Sequence, residues 1–299
     1  MMRAPSVIRL TALTLILPGM ALSIQTPTPR PFTPWSEPGQ PLFAGATFSP
    51  DGQTVYFTRY SAFEVDAVKT ILVSHRLREG WSKPEPAPFS GPWSDTTPFV
   101  SPDGMRLYFA SNRPVDGRTK DDFDIWFVER TNNEWGAPRH ESAVASPANE
   151  LSPAVTARGV LYFCSWREEG GLGLGDLWRA DPLGEGHGSP RNLGSPVNGP
   201  TGEWGVSVSP DERLLIFESS GRTEGLSESG DLYVSRNDGL GWSPPKHLAG
   251  PINTAASELS PRFSPDGRTL YFASNRRGRL EMWGVSFSIA DALRLAERP

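Results

Sequence analysis

The sequence predicts an all-β fold, a five-bladed β-propeller whose blades are four-stranded antiparallel sheets. The first observation is a repeat: a turn of the Ser-Pro-Asp-Gly type followed by a strand of the Leu-Tyr-Phe type occurs five times in the 299 residues. The second is its spacing, since the turns begin at residues 49, 101, 156, 209 and 264, which are 52 to 55 residues apart. A period of this size built from short strands is typical of propellers in which each repeat is one blade.

Residues 95–148 show how one repeat is expected to fold. The predicted strands are Thr97–Val100, Arg106–Ala110, Asp124–Val128 and an outer strand that begins at Trp135. In the turn Ser101–Gly104, proline fixes φ, aspartate caps the turn with its side chain, and glycine accepts a positive φ. The second strand is almost entirely apolar, as a strand buried on both faces should be. Pro138 is tolerated in the outer strand because one edge of that strand is unpaired.

The two ends of the chain are predicted to close the ring together. The fifth repeat stops after its third strand, near Phe287, and lacks the Trp-x-x-Pro signature that opens an outer strand in other repeats. One such signature stands alone before the first repeat, at Trp35–Pro38. We therefore expect the N-terminal segment to supply the outer strand of the last blade. Closure removes an open sheet edge that would otherwise pair with other chains.

The N-terminus has the features of a secretory signal peptide. A short basic stretch is followed by the apolar run Leu10–Met20 and by small residues at Ala21–Ser23. The apolar run is shorter than the about 20 residues that cross a bilayer, so we expect no membrane anchor after cleavage. The predicted organisation is a signal peptide over 1–23, a Pro/Thr-rich linker over 24–34, the propeller over 35–288 and a C-terminal tail over 289–299.

Composition restricts the cellular compartment and the classes of partner that we expect. The net charge of -5 argues against a nucleic-acid partner, which would need a basic patch. Cys164 is the only cysteine, which fits a bacterial periplasm or exterior better than a disulfide-stapled scaffold. We expect a periplasmic or secreted monomer. No His or Cys cluster predicts a transition-metal site, and no cofactor is expected; Ca²⁺ in the channel stays open, because oxygen ligands leave little trace in a sequence.

The repeat resembles the TolB-type, WD-like propeller repeat of bacterial periplasmic proteins. The Ser-Pro-Asp-Gly turn and a Ser-Asn-Arg sequence that ends the second strand occur together over 101–113 and 264–276. The turn Thr156–Gly159 lacks the Pro-Asp pair and Glu212 replaces a glycine, so these two turns are expected to be less regular. The resemblance implies a periplasmic propeller with partners in the cell envelope. It implies no particular activity, because the family includes both partner-binding domains and enzyme-attached propellers.

Repeated charged residues are the candidate ligand-binding positions. The loops that enter the first strand and the loops that join the second strand to the third lie on one face of the ring, here called the loop face. The Ser-Pro-Asp-Gly turns lie on the opposite face, here called the turn face. On the loop face, four repeats carry an acid and a matching arginine. The acids are Asp95, Glu150, Glu203 and Glu258, and the arginines are Arg113, Arg167, Arg222 and Arg276. The first repeat has Phe43 in place of the acid.

Two interpretations of these residues remain open. In the first, the acids form a ring of carboxylates that binds a cation, a basic peptide or sugar hydroxyls. In the second, each acid forms a structural ion pair within its own blade. Repetition of one residue type favours the structural interpretation, because catalysis usually needs different roles at different positions. Trp166 replaces the asparagine of sister repeats and is a candidate stacking platform for a sugar or peptide ring, although a packing substitution explains it equally well.

The predicted function is a binding module for a protein, peptide or glycan on the loop face. The alternative is a glycan-active hydrolase or lyase, which needs two carboxylates about 5–10 Å apart across one cavity, one with a raised pKa. Glu150, Glu203 and Glu258 are the candidates for that pair. A third alternative is a purely structural role, which predicts that every acid of the ring is paired with an arginine.

Overall fold

The computed structural model describes residues 27–32, 42–61, 68–248 and 250–296. The predicted signal peptide and the Trp35–Pro38 signature lie outside these ranges. The predicted fold is confirmed, because the described strands form five four-stranded antiparallel sheets arranged as the blades of a propeller. No helix within the described ranges is long and apolar enough to cross a membrane.

The strands follow the order of the repeats. A short strand, β1 (Arg30–Pro31), precedes the first blade. The first blade comprises β2 (Leu42–Phe48), β3 (Thr54–Tyr60), β4 (Lys69–His75) and β5 (Glu85–Pro86). The second comprises β6 (Asp95–Val100), β7 (Arg106–Ser111), β8 (Asp124–Thr131) and β10 (Arg139–His140), with β9 (Glu134–Trp135) extending the end of β8.

The remaining blades repeat this plan. The third comprises β11 (Glu150–Val155), β12 (Leu161–Ser165), β13 (Asp176–Ala180) and β16 (Arg191–Asn192), with a hairpin of β14 (Pro182–Leu183) and β15 (Gly186–His187). The fourth comprises β17 (Gly202–Val208), β18 (Leu214–Ser220), β19 (Asp231–Arg236) and β20 (Lys246–His247). The fifth comprises β21 (Glu258–Phe263), β22 (Leu270–Ser274) and β23 (Glu281–Val285), completed by β1, and helix α1 (Ile289–Ala296) follows it.

The innermost strands of the blades surround the central channel. Strands β2, β6, β11, β17 and β21 each contact the innermost strands of both neighbouring blades. Each of them contains a register shift against its second strand, and one residue there has a positive φ. Those residues are Gly45, Thr97, Ser152, Gly205 and Ser260. A bulge of this kind bends a strand and re-aims the side chains that follow it.

The ring closes through the N-terminal strand, as predicted, but at a different place. Strand β1 pairs with β23, with Arg30 opposite Gly284 and Pro31 opposite Trp283. The closing strand therefore lies inside the segment predicted as a linker. The pairing is at this place because the next residue, Phe32, is also bonded to β23: its N–H donates to the Met282 carbonyl at 2.7 Å.

An aromatic cluster between the first and last blades holds this strand in place. The Phe32 ring packs edge-on against Phe48, Trp81 and Tyr271, with centroid distances of 5.9, 6.2 and 4.8 Å. Phe48 and Trp81 belong to the first blade and Tyr271 to the last, so the side chain of Phe32 joins the two ends of the ring.

The two atypical turns behave differently from each other. The third turn is one residue shorter than its sisters, because Thr156 N–H bonds the Val160 carbonyl, whereas Ser49 N–H bonds that of Thr54. The fourth turn keeps the geometry of its sisters, contrary to expectation. Glu212 takes the glycine position with a φ of 57°. Its carboxylate accepts a hydrogen bond from Tyr162 Oη at 2.8 Å, which helps to hold this unusual backbone.

The C-terminal helix packs on the last two blades. Ser288 caps it, because the Ser288 hydroxyl accepts the Asp291 N–H at 3.1 Å and the Asp291 carboxylate accepts the Ser288 N–H at 3.0 Å. Ala292 and Ala296 are buried in a cluster with strands of the fourth and fifth blades. Ile289 reaches the turn of the fifth blade, since its N–H bonds the Gly267 carbonyl at 2.9 Å.

Candidate functional site

The four acids of the loop face are buried in ion pairs within their own blades. Asp95 accepts hydrogen bonds from Arg113 Nη2 at 2.8 Å and from Ser90 Oγ and the Gly91 N–H at 3.0 Å each. Arg113 in turn donates to the Phe89 carbonyl, which lies in the segment leading out of the preceding blade. The pair therefore fixes the loop between two neighbouring blades.

The other three pairs repeat this geometry with glutamate. The arginine-to-carboxylate distances are 3.1 Å for Arg167–Glu150, 2.8 Å for Arg222–Glu203 and 3.0 Å for Arg276–Glu258. Burial raises the pKa of all three glutamates, and their serine and arginine partners only partly offset this effect. Pairing of every acid with an arginine is what the structural interpretation predicts. Direct ligand binding by these residues stays a prediction.

Trp166 is a half-exposed ring on the loop face, with 43 % of its surface accessible. It lies beside Trp204: a Cβ placed on Gly175 would stand 3.2 Å from Trp166 and 2.4 Å from Trp204 Nε1, so this position needs glycine. The accessible ring fits the predicted stacking role, which stays a prediction.

A cavity opens on the opposite, turn face. It measures about 300 Å³ and lies where the Ser-Pro-Asp-Gly turns of the first, second, fourth and fifth blades converge. Its inner wall includes the residues that stand two positions after the bulges in four of the five blades. Among them are Thr47, Phe99, Ser207 and Arg262.

Arg262 is a buried cation in the wall of this cavity, with only 4 % of its surface accessible. Its Nη1 donates to the carbonyls of Val206 and Pro261, and its Nη2 donates to the Pro153 carbonyl at 3.2 Å. Its Nε has no hydrogen-bond partner among the described residues. The guanidinium also lies 5.3 Å from the centroid of the Phe99 ring. Burial lowers the pKa of Arg262 to about 10, so the side chain is charged at neutral pH.

Glu218 lies near enough to Arg262 for its negative charge to favour the charged guanidinium and so raise the pKa of Arg262. Its carboxylate accepts the Ser260 N–H at 2.6 Å, the backbone group at the bulge of the next blade. Burial raises the pKa of Glu218 to about 7, although this hydrogen bond and Arg262 favour its ionised form. In the first blade Thr58 has the corresponding role, because its hydroxyl accepts the Thr97 N–H at 3.0 Å.

A signal for both channel residues is present in the sequence, although the repeat motifs do not contain it. Arg262 stands where sister repeats have small, polar or aromatic residues, such as Ala154 and Ser207, and Glu218 stands where they have Ala110 or Cys164. A charge at one repeat position that is uncharged in the other four distinguishes a residue with a particular role from one that maintains the blade.

Within the described ranges, no group of three or more His, Cys, Asp or Glu side chains is close enough to hold a metal ion.

The comparisons with known proteins agree with the propeller fold. No family model and no curated protein matches the sequence. Among solved structures, an endo-arabinase from Bacteroides thetaiotaomicron is 15% identical, covering 85% of this chain and 96% of its own, with a TM-score of 0.54. A GH43 endo-arabinanase from Bacillus licheniformis is 12% identical, with coverages of 83% and 94% and a TM-score of 0.52.

TolB from Acinetobacter baumannii is also similar, at 16% identity over 83% of this chain, with a TM-score of 0.48. The chain spans 55% of the length of that TolB structure. At these identities, the likeness to the arabinanases shows the propeller fold alone.

Proposed function

We propose that this protein is a periplasmic or secreted binding module that takes part of a protein, peptide or glycan ligand into the turn-face cavity. The observation that carries the proposal is the convergence of four blades on one cavity. Ligand sites are typically concave, mostly apolar and equipped with a few polar groups that fix orientation. The apolar side chains of Phe99, Val208 and Ile289 and the charged Arg262 provide that combination.

Binding is favoured over glycan hydrolysis because of how the carboxylates are distributed. Glycosidases generally need two of them, about 5–10 Å apart, facing one substrate. Among the described residues lining the cavity, Asp266 is the only acid, and hydrogen bonds from Ser264 and Arg268 lower its pKa, which favours the ionised form. The glutamates proposed for catalysis lie on the loop face, each bonded to an arginine. Glu218 has a raised pKa but does not line the cavity.

Features of the sequence support the proposed compartment. The basic and apolar N-terminal segment, the single cysteine and the TolB-type repeat together support export to the periplasm or beyond and a partner in the cell envelope. The proposal places the ligand in the turn-face cavity because four blades form a concave surface there. Binding at the residues predicted on the loop face stays a prediction.

Blocking the cavity mouth tests the proposal. Pro102 and Pro210 occupy the same place in their turns and both line the cavity, and proline at this place can be replaced by other residues. Isothermal calorimetry of the mature chain against a peptidoglycan digest, an oligosaccharide panel and a peptide panel would first find a ligand. The Pro102→Trp/Pro210→Trp variant should then lose at least about tenfold in affinity, which corresponds to about 1.4 kcal/mol.

Trp166→Ala is the matched control, because it changes the loop face and leaves the cavity intact. Its affinity should equal that of the wild type. Loss of binding in Trp166→Ala with unchanged binding in the blocked variant would contradict the proposal and place the ligand on the loop face.

A further inference from the structure

Arg262 differs from the other buried arginines of the ring in forming no salt bridge among the described residues, although the charge of Glu218 is near enough to act on it. The other four arginines each bond a carboxylate and donate their Nε–H to the hydroxyl of a nearby serine; they are Arg113, Arg167, Arg222 and Arg276. Arg262 forms no salt bridge with any described residue; its bonds go to three backbone carbonyls and its buried Nε is unpartnered. A buried charge is costly unless it is paired, so this guanidinium is complementary to an anion.

The cavity offers further donors beside Arg262. The Thr47 hydroxyl accepts the Val100 N–H at 3.1 Å, so its own proton remains to be donated. Ser207 also lines the cavity and contributes a second hydroxyl. The one acid of the lining, Asp266, lies in an exposed turn, where the Ser264 hydroxyl and the Arg268 N–H bond its carboxylate. An entering anion would therefore meet hydroxyls and a guanidinium in the inner wall.

The rest of the wall is apolar and restricts what can carry the anion. Phe48, Val100, Val208, Phe263 and Ile289 all line the cavity. An apolar wall next to a single cation fits a carboxylate attached to an apolar stem. A sugar acid is a poorer match, because its ring hydroxyls need more polar partners than this wall provides.

We infer that the turn-face cavity binds the free C-terminal carboxylate of a peptide or protein that ends in an apolar residue, with Arg262 pairing the carboxylate. This inference rests on the proposed function and names its ligand class. The terminal side chain packs against Phe99 and Val208, and the hydroxyls of Thr47 and Ser207 complete the carboxylate's hydrogen bonds.

The test compares peptides that differ only in the terminal charge. The probes are N-acetyl-Ala-Ala-Leu and N-acetyl-Ala-Ala-Phe, each with a free carboxylate or a terminal amide, titrated into the mature chain by calorimetry. The free acids should bind about 10- to 100-fold more tightly than the amides, the range expected for a charge-assisted hydrogen bond. Equal affinity of acid and amide, or binding of galacturonate oligomers in their place, would overturn the inference.

Variants separate the role of the charge from that of the fold. Arg262→Gln should reduce the acid-to-amide ratio to about one, whereas Arg262→Lys should retain part of it because the positive charge remains. Arg268→Gln is the matched control, since Arg268 is an exposed arginine near the same mouth, and it should leave the ratio unchanged. An unchanged ratio in a folded Arg262→Gln protein would contradict the assignment. If Arg262→Gln does not fold, the ratio in Arg262→Lys decides: a ratio equal to that of the wild type contradicts a guanidinium-specific pair.

The blocked variant distinguishes failure of this inference from failure of the proposed function. If Pro102→Trp/Pro210→Trp abolishes binding of acid and amide alike and the two bind the wild type equally, the cavity is the site and the carboxylate assignment is wrong. If the blocked variant binds the free acid as tightly as the wild type, the proposed site itself is wrong.

Discussion

Replacing Glu203 with alanine should destabilise the fold by about 3–5 kcal/mol, the cost of leaving one partner of a buried ion pair uncompensated. The substitution removes the acceptor of four hydrogen bonds, from Arg222 Nη2 at 2.8 Å, Thr201 Oγ at 3.0 Å, Ser219 Oγ at 3.1 Å and the Gly199 N–H at 3.1 Å. The Arg222 guanidinium then stays buried without a counter-ion. For a domain of this size the expected decrease in melting temperature is about 6–20 °C.

A double substitution shows whether the effect comes from the pair. Glu203→Ala/Arg222→Met removes both charges, so it should cost less than the sum of the two single changes. Urea unfolding followed by tryptophan fluorescence gives the free energies. The control is Glu134→Ala, an exposed acid on β9, which should change stability by less than about 0.5 kcal/mol. A loss below about 1 kcal/mol in Glu203→Ala would refute the assignment of these acids as structural.

Three further predictions concern the channel, the closure and the thiol. Because the folded pKa of Glu218 is raised to about 7, its contribution to stability is present below its ordinary pKa and is lost as the pH rises through about 7. Glu218→Gln should therefore stabilise the fold at pH 8, by an amount on the order of 3 kcal/mol, and flatten the dependence of the melting temperature between pH 5 and about pH 8. Phe32→Ala should cost about 2–4 kcal/mol in urea unfolding, because it empties the aromatic cluster that closes the ring; Phe32→Leu should cost less. Burial raises the pKa of the Cys164 thiol, so a thiol reagent should label it only after urea has unfolded the chain, and rapid labelling of the native protein would contradict its burial.

The blades were predictable because each repeat contains local residues that mark where its turn and its buried strand begin. Proline, aspartate and glycine fix the turn at Ser101–Gly104, and the apolar run after it marks a strand buried on both faces. The strand predicted at Arg106–Ala110 is observed at Arg106–Ser111. The acid-and-arginine pairs were also visible, since the two residue types recur at fixed places in four repeats.

The closing strand and the cavity depend on contacts that no local pattern contains. The signature at Trp35 resembles an outer strand, but the described pairing with β23 lies at Arg30–Pro31, where Phe32 finds three aromatic rings from distant repeats. Arg262 reaches the channel because of a bulge two residues earlier, at Ser260, which has a positive φ although it is not glycine. Such a bulge leaves no reliable mark in the sequence, so the side of the ring that carries the cavity could not be predicted.

Hydrogen exchange with and without ligand tests the central claim, that the ligand enters the turn-face cavity, most directly. Any ligand found by calorimetry would be added at saturation, and exchange would be followed by mass spectrometry on peptides from both faces. The account predicts slower exchange in the turn-face segments 99–105, 206–213 and 262–268 and unchanged exchange in the loop-face segments 112–123 and 166–175. Protection confined to the loop-face segments would contradict it.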